Sequence, residues 1–317
     1  MSRYELPALR GADPLGFLAA LGAVRISSEV LGLDVRLGWP DGPWNPAVVD
    51  CVIELDNLIA RLQSLAAQTV GDSCLVPGSS GFPPTKEGTS GSDPLKALSR
   101  RDARGYSQTS VLLGASGHSE MSKWIRATLA TAAGEPDDPT PTSPFLVWPT
   151  GQSTPARSMA SARDEATKPG VISAGLRGWR RQEGFTGAYL DDRAIRDEFV
   201  GQHTSGQMQN SGEPGATWLA LMAMPWFPVV ATERGVGAVG WVTRPRQPPT
   251  LRWPVWRNLL KPPTIRAILC HPLVATPDPR LSALSIMGVF EARRQPGPKG
   301  FGALGPGEQV WPEPDNA

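Results

Sequence analysis

The chain has 317 residues, 40% hydrophobic and 19% charged, enough apolar side chains to bury a sizeable core and too many for a disordered tail. With 34 Gly and 33 Pro, much of it must run in turns and loops. The formal net charge of +1 excludes a uniformly basic or acidic protein, and no apolar run approaches the ~20 residues of a membrane helix.

The start, Met1-Ser2-Arg3-Tyr4-Glu5, lacks the apolar stretch of a signal peptide. Cys51, Cys74 and Cys270 form no C-x-x-C pair, so free thiols and a cytoplasmic setting without membrane contact are expected.

Asp13-Pro14 predicts a helix start, with Asp13 as N-cap and Pro14 at the first helical position, where its missing N–H costs nothing. Leu15, Leu18, Leu21 and Val24 then recur at helical spacing. Gly16 and Gly22 weaken that helix locally, which predicts close approach of another backbone, and Gly32 is a natural C-cap. Leu33, Val35, Leu37 and Trp39 alternate as in a half-buried strand, and Pro40-Asp41-Gly42 turns the chain. A second helix is expected from Pro46 to Gln68, with Val48, Val52, Leu55, Leu58, Ile59, Leu62 and Leu65 as its apolar stripe.

From Val76 to Asp93 no periodicity survives, so an exposed loop is expected there. Helical patterning resumes over 94–133, and Glu135 to Pro144 is a second loop. Residues 145–148 suggest a short strand and 155–168 a polar helix, followed by the basic run Leu176 to Arg181. Residues 191–200 pattern as a helix, Gly201 to Gly215 as a loop and Ala216 to Met224 as an apolar helix. Phe227 to Thr232 and Val239 to Thr243 read as a hairpin turning through Glu233 to Gly237. Arg252 to Trp256 looks too proline-interrupted for a central strand, and Pro263 to Cys270 patterns as a helix. After Glu291 the chain is expected to trail over the surface. The sum is a loop-rich α+β fold in three stretches: a helix–strand–helix unit over 1–75, a basic helical region over 76–215, and a hairpin-and-helix region over 216–317. These form either one continuous domain or separate ones.

Charge is unevenly spread. Residues 1–95 carry 6 Lys/Arg against 11 Asp/Glu, residues 96–266 carry 21 against 14, and residues 267–317 carry 4 against 5. Between Glu233 and Asp278 there is no carboxylate, while Arg234, Arg244, Arg246, Arg252, Arg257, Lys261 and Arg266 are all present. Positive charge without a local partner, interleaved with Trp241, Trp253 and Trp256, suits a nucleic-acid backbone and its bases. Tryptophans in a proline-rich segment are, however, more often core anchors than stacking platforms.

Motifs for catalysis are weak. His118, His203 and His271 occur in no H-x-x-x-H or H-E-x-x-H array, and Cys270-His271 point to opposite faces if extended. Gly235 to Gly240 spells G-x-G-x-x-G, but between two strands rather than before a helix. Asp137-Asp138, Asp164-Glu165 and Asp191-Asp192 are the only hint of a metal-dependent nuclease, and sequential acidic pairs are usually solvated. No catalytic residue, metal ligand or cofactor is therefore assigned. A scaffold that binds another protein through its loops and tryptophans is a further alternative.

Residues 6–26, LPALRGADPLGFLAALGAVRI, resemble the N-terminal signature of CRISPR-associated proteins of type I-G (formerly I-U) systems. LALMAMPWFPVVA at 219–231 and LRWPVWRNLLKPPTIRAIL at 251–269 are similar to a later part of the same proteins. The resemblance implies a non-catalytic, large-subunit-like component of the RNA-guided surveillance complex. Its partners would be guide RNA, target double-stranded DNA and the other effector subunits, and it would read the protospacer-adjacent motif while base pairing reads the rest. On that reading Lys86, in the loop at 77–93, approaches a DNA groove. Arg100, Arg101, Arg104, Arg177, Arg180, Arg181, Arg244, Arg246, Arg252, Arg257 and Lys261 then contact nucleic-acid backbone. The matching positions themselves are core-type glycines and leucines.

Overall fold

The computed structural model describes residues 1–68, 76–77, 82, 95, 99–113, 120–130, 143–146, 155–185, 187–191, 211–232, 235–242, 244, 247–297 and 300–313. It is an α+β protein built on antiparallel sheets. β1 (Ser2–Arg10) leads through Asp13 into α1 (Pro14–Arg25). The Asp13 carboxylate accepts the Gly16 N–H at 2.9 Å, as the sequence predicts. A turn of π-helix, Ile26–Val30, continues α1, and Gly32 ends it in the left-handed region at φ +67°.

β2 (Val35–Gly38) and β3 (Pro46–Cys51) complete a three-stranded sheet in the order β1-β3-β2. The expected helix from Pro46 is thus corrected: its first turn and a half is strand, and α2 runs only Leu55–Gln68. Val48, Val49 and Cys51 are all buried because β3 lies in the middle of the sheet. A strand buried on both faces loses its alternation and mimics a helical stripe.

α3 (Arg100–Leu113), α4 (Glu120–Thr128), α5 (Pro155–Ala166) and α6 (Val171–Arg177) follow the helical patterning of the middle stretch. Phe145 and Leu146 sit in a turn rather than a strand. The expected loops at 76–93 and 135–144 and the expected helix at 191–200 fall almost wholly outside the described residues. β4 (Gln182–Glu183) pairs with β5 (Ser211–Gly212), directly before α7 (Pro214–Met222), so the loop expected to Gly215 ends earlier. Glu213 caps α7, and Pro214 opens it.

Every residue of α1 and of α7 is buried. A helix that is apolar all round belongs inside a protein, and these two pack on each other at the centre. One hydrophobic core runs from Leu6 to Leu304 and draws on all three stretches of the chain.

After a 3₁₀ turn at Met224–Trp226 comes β6 (Val229–Thr232), which pairs with β7 (Gly235–Ala238). The glycines expected to form a wide turn are therefore strand, and the hairpin is tighter than anticipated. β8 (Trp241–Val242), β9 (Thr250–Trp256), β10 (Ile286–Gly297), β11 (Gly300–Leu304) and β12 (Glu308–Trp311) form a second sheet in which β10 holds β9 on one side and β11 and β12 on the other. α8 (Pro262–Leu269), α9 (Pro272–Ala275) and a 3₁₀ turn, Pro279–Leu284, lie between β9 and β10.

Two expectations fail here. β9 is a central strand despite Pro254: Arg252 donates its N–H toward β8, to Gly240 O at 2.7 Å, and β8 pairs only Thr250 and Leu251. Position 254 points the same way as 252, beyond the end of that short neighbour, where no ladder N–H is needed. The stretch after Glu291 likewise forms β10 to β12 instead of trailing. Its buried charges, Glu291 and Arg294, disguise it as surface.

The tryptophans of β9 join the two sheets. Trp253 Nε1 donates to Gly11 O and Trp256 Nε1 to Leu37 O, each at 2.8 Å. Their rings pack with Phe17 and Trp39 at centroid distances of 5.1 to 6.1 Å, within the range of favourable aromatic contacts. Trp241, Trp253 and Trp256 are core anchors.

Candidate nucleic-acid interface

The basic residues singled out from sequence divide by their surroundings. Lys86 and Arg246 lie outside the described residues, and Arg100 opens α3. Arg101 and Arg104 are exposed on α3. Arg252 is corrected: it is buried, and its Nε donates to Glu291 Oε1 at 2.6 Å from the directly facing position on β10. A guanidinium neutralised in the core contacts no phosphate. Arg181 Nη2 donates to both Asp191 carboxylate oxygens, at 2.9 and 2.7 Å, and Nη1 donates to Ser211 O. Arg177 pairs with Asp56, and Lys261 with Asp34 at 3.3 Å. The stretch without local carboxylates thus borrows them from distant segments.

Arg180, Arg244 and Arg257 stay exposed, with no ion pair among the described residues. Arg257 is the one cation among the residues that line its cleft.

Three other cations converge. Lys123 and Arg126 stand three residues apart on α4, hence on one face, and Arg266 comes from α8. With Glu29, Pro225 and Trp226 they line a cleft of about 380 Å³. Among the described residues the Arg126 side chain hydrogen-bonds to Ser122, at 3.4 and 3.5 Å. Neither Arg126 nor Arg266 has a carboxylate partner among the described residues, and both are exposed.

A partly buried polar network holds the floor of this cleft. Lys123 Nζ bridges Glu29 and Glu120 at 2.9 and 2.8 Å, and Trp226 Nε1 donates to Glu29 Oε1 at 2.8 Å. Arg25, fully buried at the end of α1, donates to Glu120 at 2.9 Å and to Met222 O, and its guanidinium lies over the Trp124 ring. Burial opposes the charge on Glu29, but Trp226, Arg25 and Lys123 outweigh it and hold the carboxyl below its ordinary value. Burial likewise opposes the Lys123 ammonium, and its two glutamates outweigh that, raising its pKa. Glu29 is therefore ionised and matched, which leaves Arg126 and Arg266 for an incoming anion.

Comparison with known proteins finds no matching family model and no matching curated protein. The interface is accordingly defined by its geometry alone.

The helical patterning over 94–133 takes in Lys123 and Arg126, and the stretch without carboxylates takes in Arg266, but nothing in the sequence joins them. The spacing of Lys123 and Arg126 is a usable signal; the neighbourhood of α4 and α8 is not visible in the letters. Other chemistry is sparse. Among the described residues no three His, Cys, Asp or Glu side chains gather where a metal ion could be held. Asp164 and Glu165 are bound to Arg163 and Lys168, Asp191 is bound to Arg181, and Asp137, Asp138 and Asp192 lie outside the described residues. Cys51 and Cys270 are free thiols, and burial raises the Cys270 pKa, against a small contrary effect of Arg266. His271 spends Nδ1 on the Leu273 N–H as the cap of α9. No helix among the described residues is long and apolar enough to cross a membrane.

Proposed function

We propose that this chain is a non-catalytic, nucleic-acid-contacting subunit of a type I CRISPR effector complex, with guide RNA and target double-stranded DNA as ligands and other effector subunits as neighbours. The observation that carries the reading is the cleft of Lys123, Arg126 and Arg266, in which two guanidinium groups stand exposed with no carboxylate partner among the described residues. Arginine in that state suits phosphate oxygens, which its planar fork grips bidentately. The resemblance of residues 6–26 to the type I-G signature supplies the biological setting, and that run forms the strand, cap and buried helix at the centre of the fold.

Purification of the tagged full chain from its native host, with the co-purifying proteins identified and the nucleic acid sequenced, tests this. A uniform short RNA with a repeat-derived 5′ end is the expected result. Recovery of the chain alone and free of nucleic acid would overturn the reading. So would divalent-metal-dependent cleavage by the purified chain, which belongs to a nuclease.

A further inference from the structure

A second cleft, of about 600 Å³, lies between the turn at Gly42-Pro43, Arg257 after β9, Ser285 after the 3₁₀ turn, and Trp311 at the end of β12. Its volume is in the range of small-ligand sites, ~300–1,000 Å³. Ile286, Met287 and Trp311 make it apolar. Its polar side chains are Arg257, Ser282 and Ser285. The Arg257 backbone N–H is fixed on Ser285 O at 3.0 Å, while the guanidinium is exposed and has no carboxylate partner among the described residues. Ser285 Oγ accepts from Asn258 Nδ2 at 2.8 Å, which leaves its own proton to donate. No carboxylate lines the cleft among the described residues.

Beside it stands Trp44. It follows the lining residue Pro43, packs at 85° to the Phe290 ring with centroids 5.8 Å apart, and yet is 58% exposed. Leu284, next to Ser285, is 39% exposed. Trp44 and Leu284 together leave apolar surface open to solvent next to the cleft. A peptide brings backbone donors that would need acceptors here. A nucleotide brings acceptors on its phosphate and sugar together with a flat ring, and so matches a cleft of serine hydroxyls, one cation and indole faces.

We propose that this cleft holds one unpaired nucleotide of a single-stranded nucleic acid, its base against Trp44 or Trp311 and its phosphate on Arg257. Paired bases are excluded because a duplex keeps their faces stacked on one another. The proposal rests on the nucleic-acid reading above but uses none of the residues of the first cleft.

The test compares the full chain with Trp44→Ala and Arg257→Ala, both exposed positions, in binding a 20-nucleotide single-stranded RNA and the same RNA annealed to its complement. Each variant is expected to weaken single-strand binding about ten-fold and to leave duplex binding unchanged. A single 4-thiouridine in the free strand should crosslink to the peptide carrying Trp44 or Trp311. Equal single-strand affinity in all three proteins, without that crosslink, would overturn the cleft while leaving the first reading intact. RNA affinity that falls only in Arg126→Ala or Arg266→Ala would also overturn it and leave the first reading standing. Binding of neither RNA form by the unaltered chain would overturn both. If Trp44 in the native complex is shielded from hydroxyl radicals equally before and after ribonuclease treatment, a protein occupies the cleft and the proposal fails.

Discussion

Gly22 of α1 and Leu219 of α7 meet main chain to main chain: a Cβ on Gly22 would fall 1.7 Å from the Leu219 carbonyl oxygen. No side chain can yield there, because the obstacle is backbone. Gly22→Ala should therefore prise the two central helices apart at a cost of about 3 kcal/mol, the upper end of overpacking. Gly178→Ala is the control, since a Cβ there meets nothing within 4 Å, and it should stay within about 0.5 kcal/mol. Urea midpoints of the two variants check this, and similar midpoints would refute it.

Arg294 is fully buried and has no carboxylate partner among the described residues. Its guanidinium donates to the carbonyls of Tyr189, Gly302, Pro144 and Phe145 and lies over the Trp241 ring at 5.3 Å. Desolvation lowers its pKa to about 9. It clips two turns of the middle stretch to β10, so Arg294→Met takes a donor from the carbonyls of Gly302, Pro144 and Phe145, while the Tyr189 oxygen keeps the Leu304 N–H at 3.0 Å. A loss of about 3–5 kcal/mol follows from roughly one to three kcal/mol per orphaned group, part of it relieved by water. Arg294→Lys should recover little, since one ammonium cannot reach four acceptors in a plane. Thermal unfolding of both variants measures the difference.

Glu213 sets a pH dependence. Burial lifts its carboxyl from 4.5 to about 7, against the backbone N–H of Ala216 and with the Asp191 charge adding to the rise. Between those two pH values the folded chain keeps a proton that the unfolded chain has released. Its contribution to stability is complete below about pH 4.5 and is lost as pH rises through about 7. The shift corresponds to something on the order of 3 kcal/mol. Glu213→Gln retains an acceptor for Ala216, so its urea midpoint should fall less than that of the unaltered chain between about pH 5 and pH 8. Parallel midpoints would show that Glu213 does not titrate there.

How far these features were legible depended on their range. The Asp13 cap, the close approach at Gly22, the stop at Gly32 and the helices at 155–166 and 262–269 are local matters of spacing and turn chemistry, and the sequence displays them. β3 and β9 misled because central strands lack alternation and because Pro254 sits just past a short neighbour. β10 misled because its charges are inward, each satisfied by a partner remote in the chain. The binding surface suffered most: Arg252 and Lys261 read as unpartnered only while Glu291 and Asp34 are far away, and nothing in the letters around Trp44 shows that it stays in the open.

Arg252 and Arg126 consequently make a discriminating pair. Arg252→Ala leaves Glu291 charged in the core and should cost about 3–5 kcal/mol of stability, with no change in nucleic-acid contact once folded. Arg126→Ala should leave the urea midpoint within about 0.5 kcal/mol and weaken RNA binding. The opposite pattern would restore the assignment that sequence alone suggests.

The most direct measurement is the salt dependence of RNA affinity for the full chain and for the double variant Arg126→Ala, Arg266→Ala. If these guanidinium groups neutralise phosphates, the slope of log affinity against log salt should become shallower by between about one and two units in the variant. An unchanged slope, or no salt-dependent RNA binding by the unaltered chain, would contradict a nucleic-acid role for this cleft.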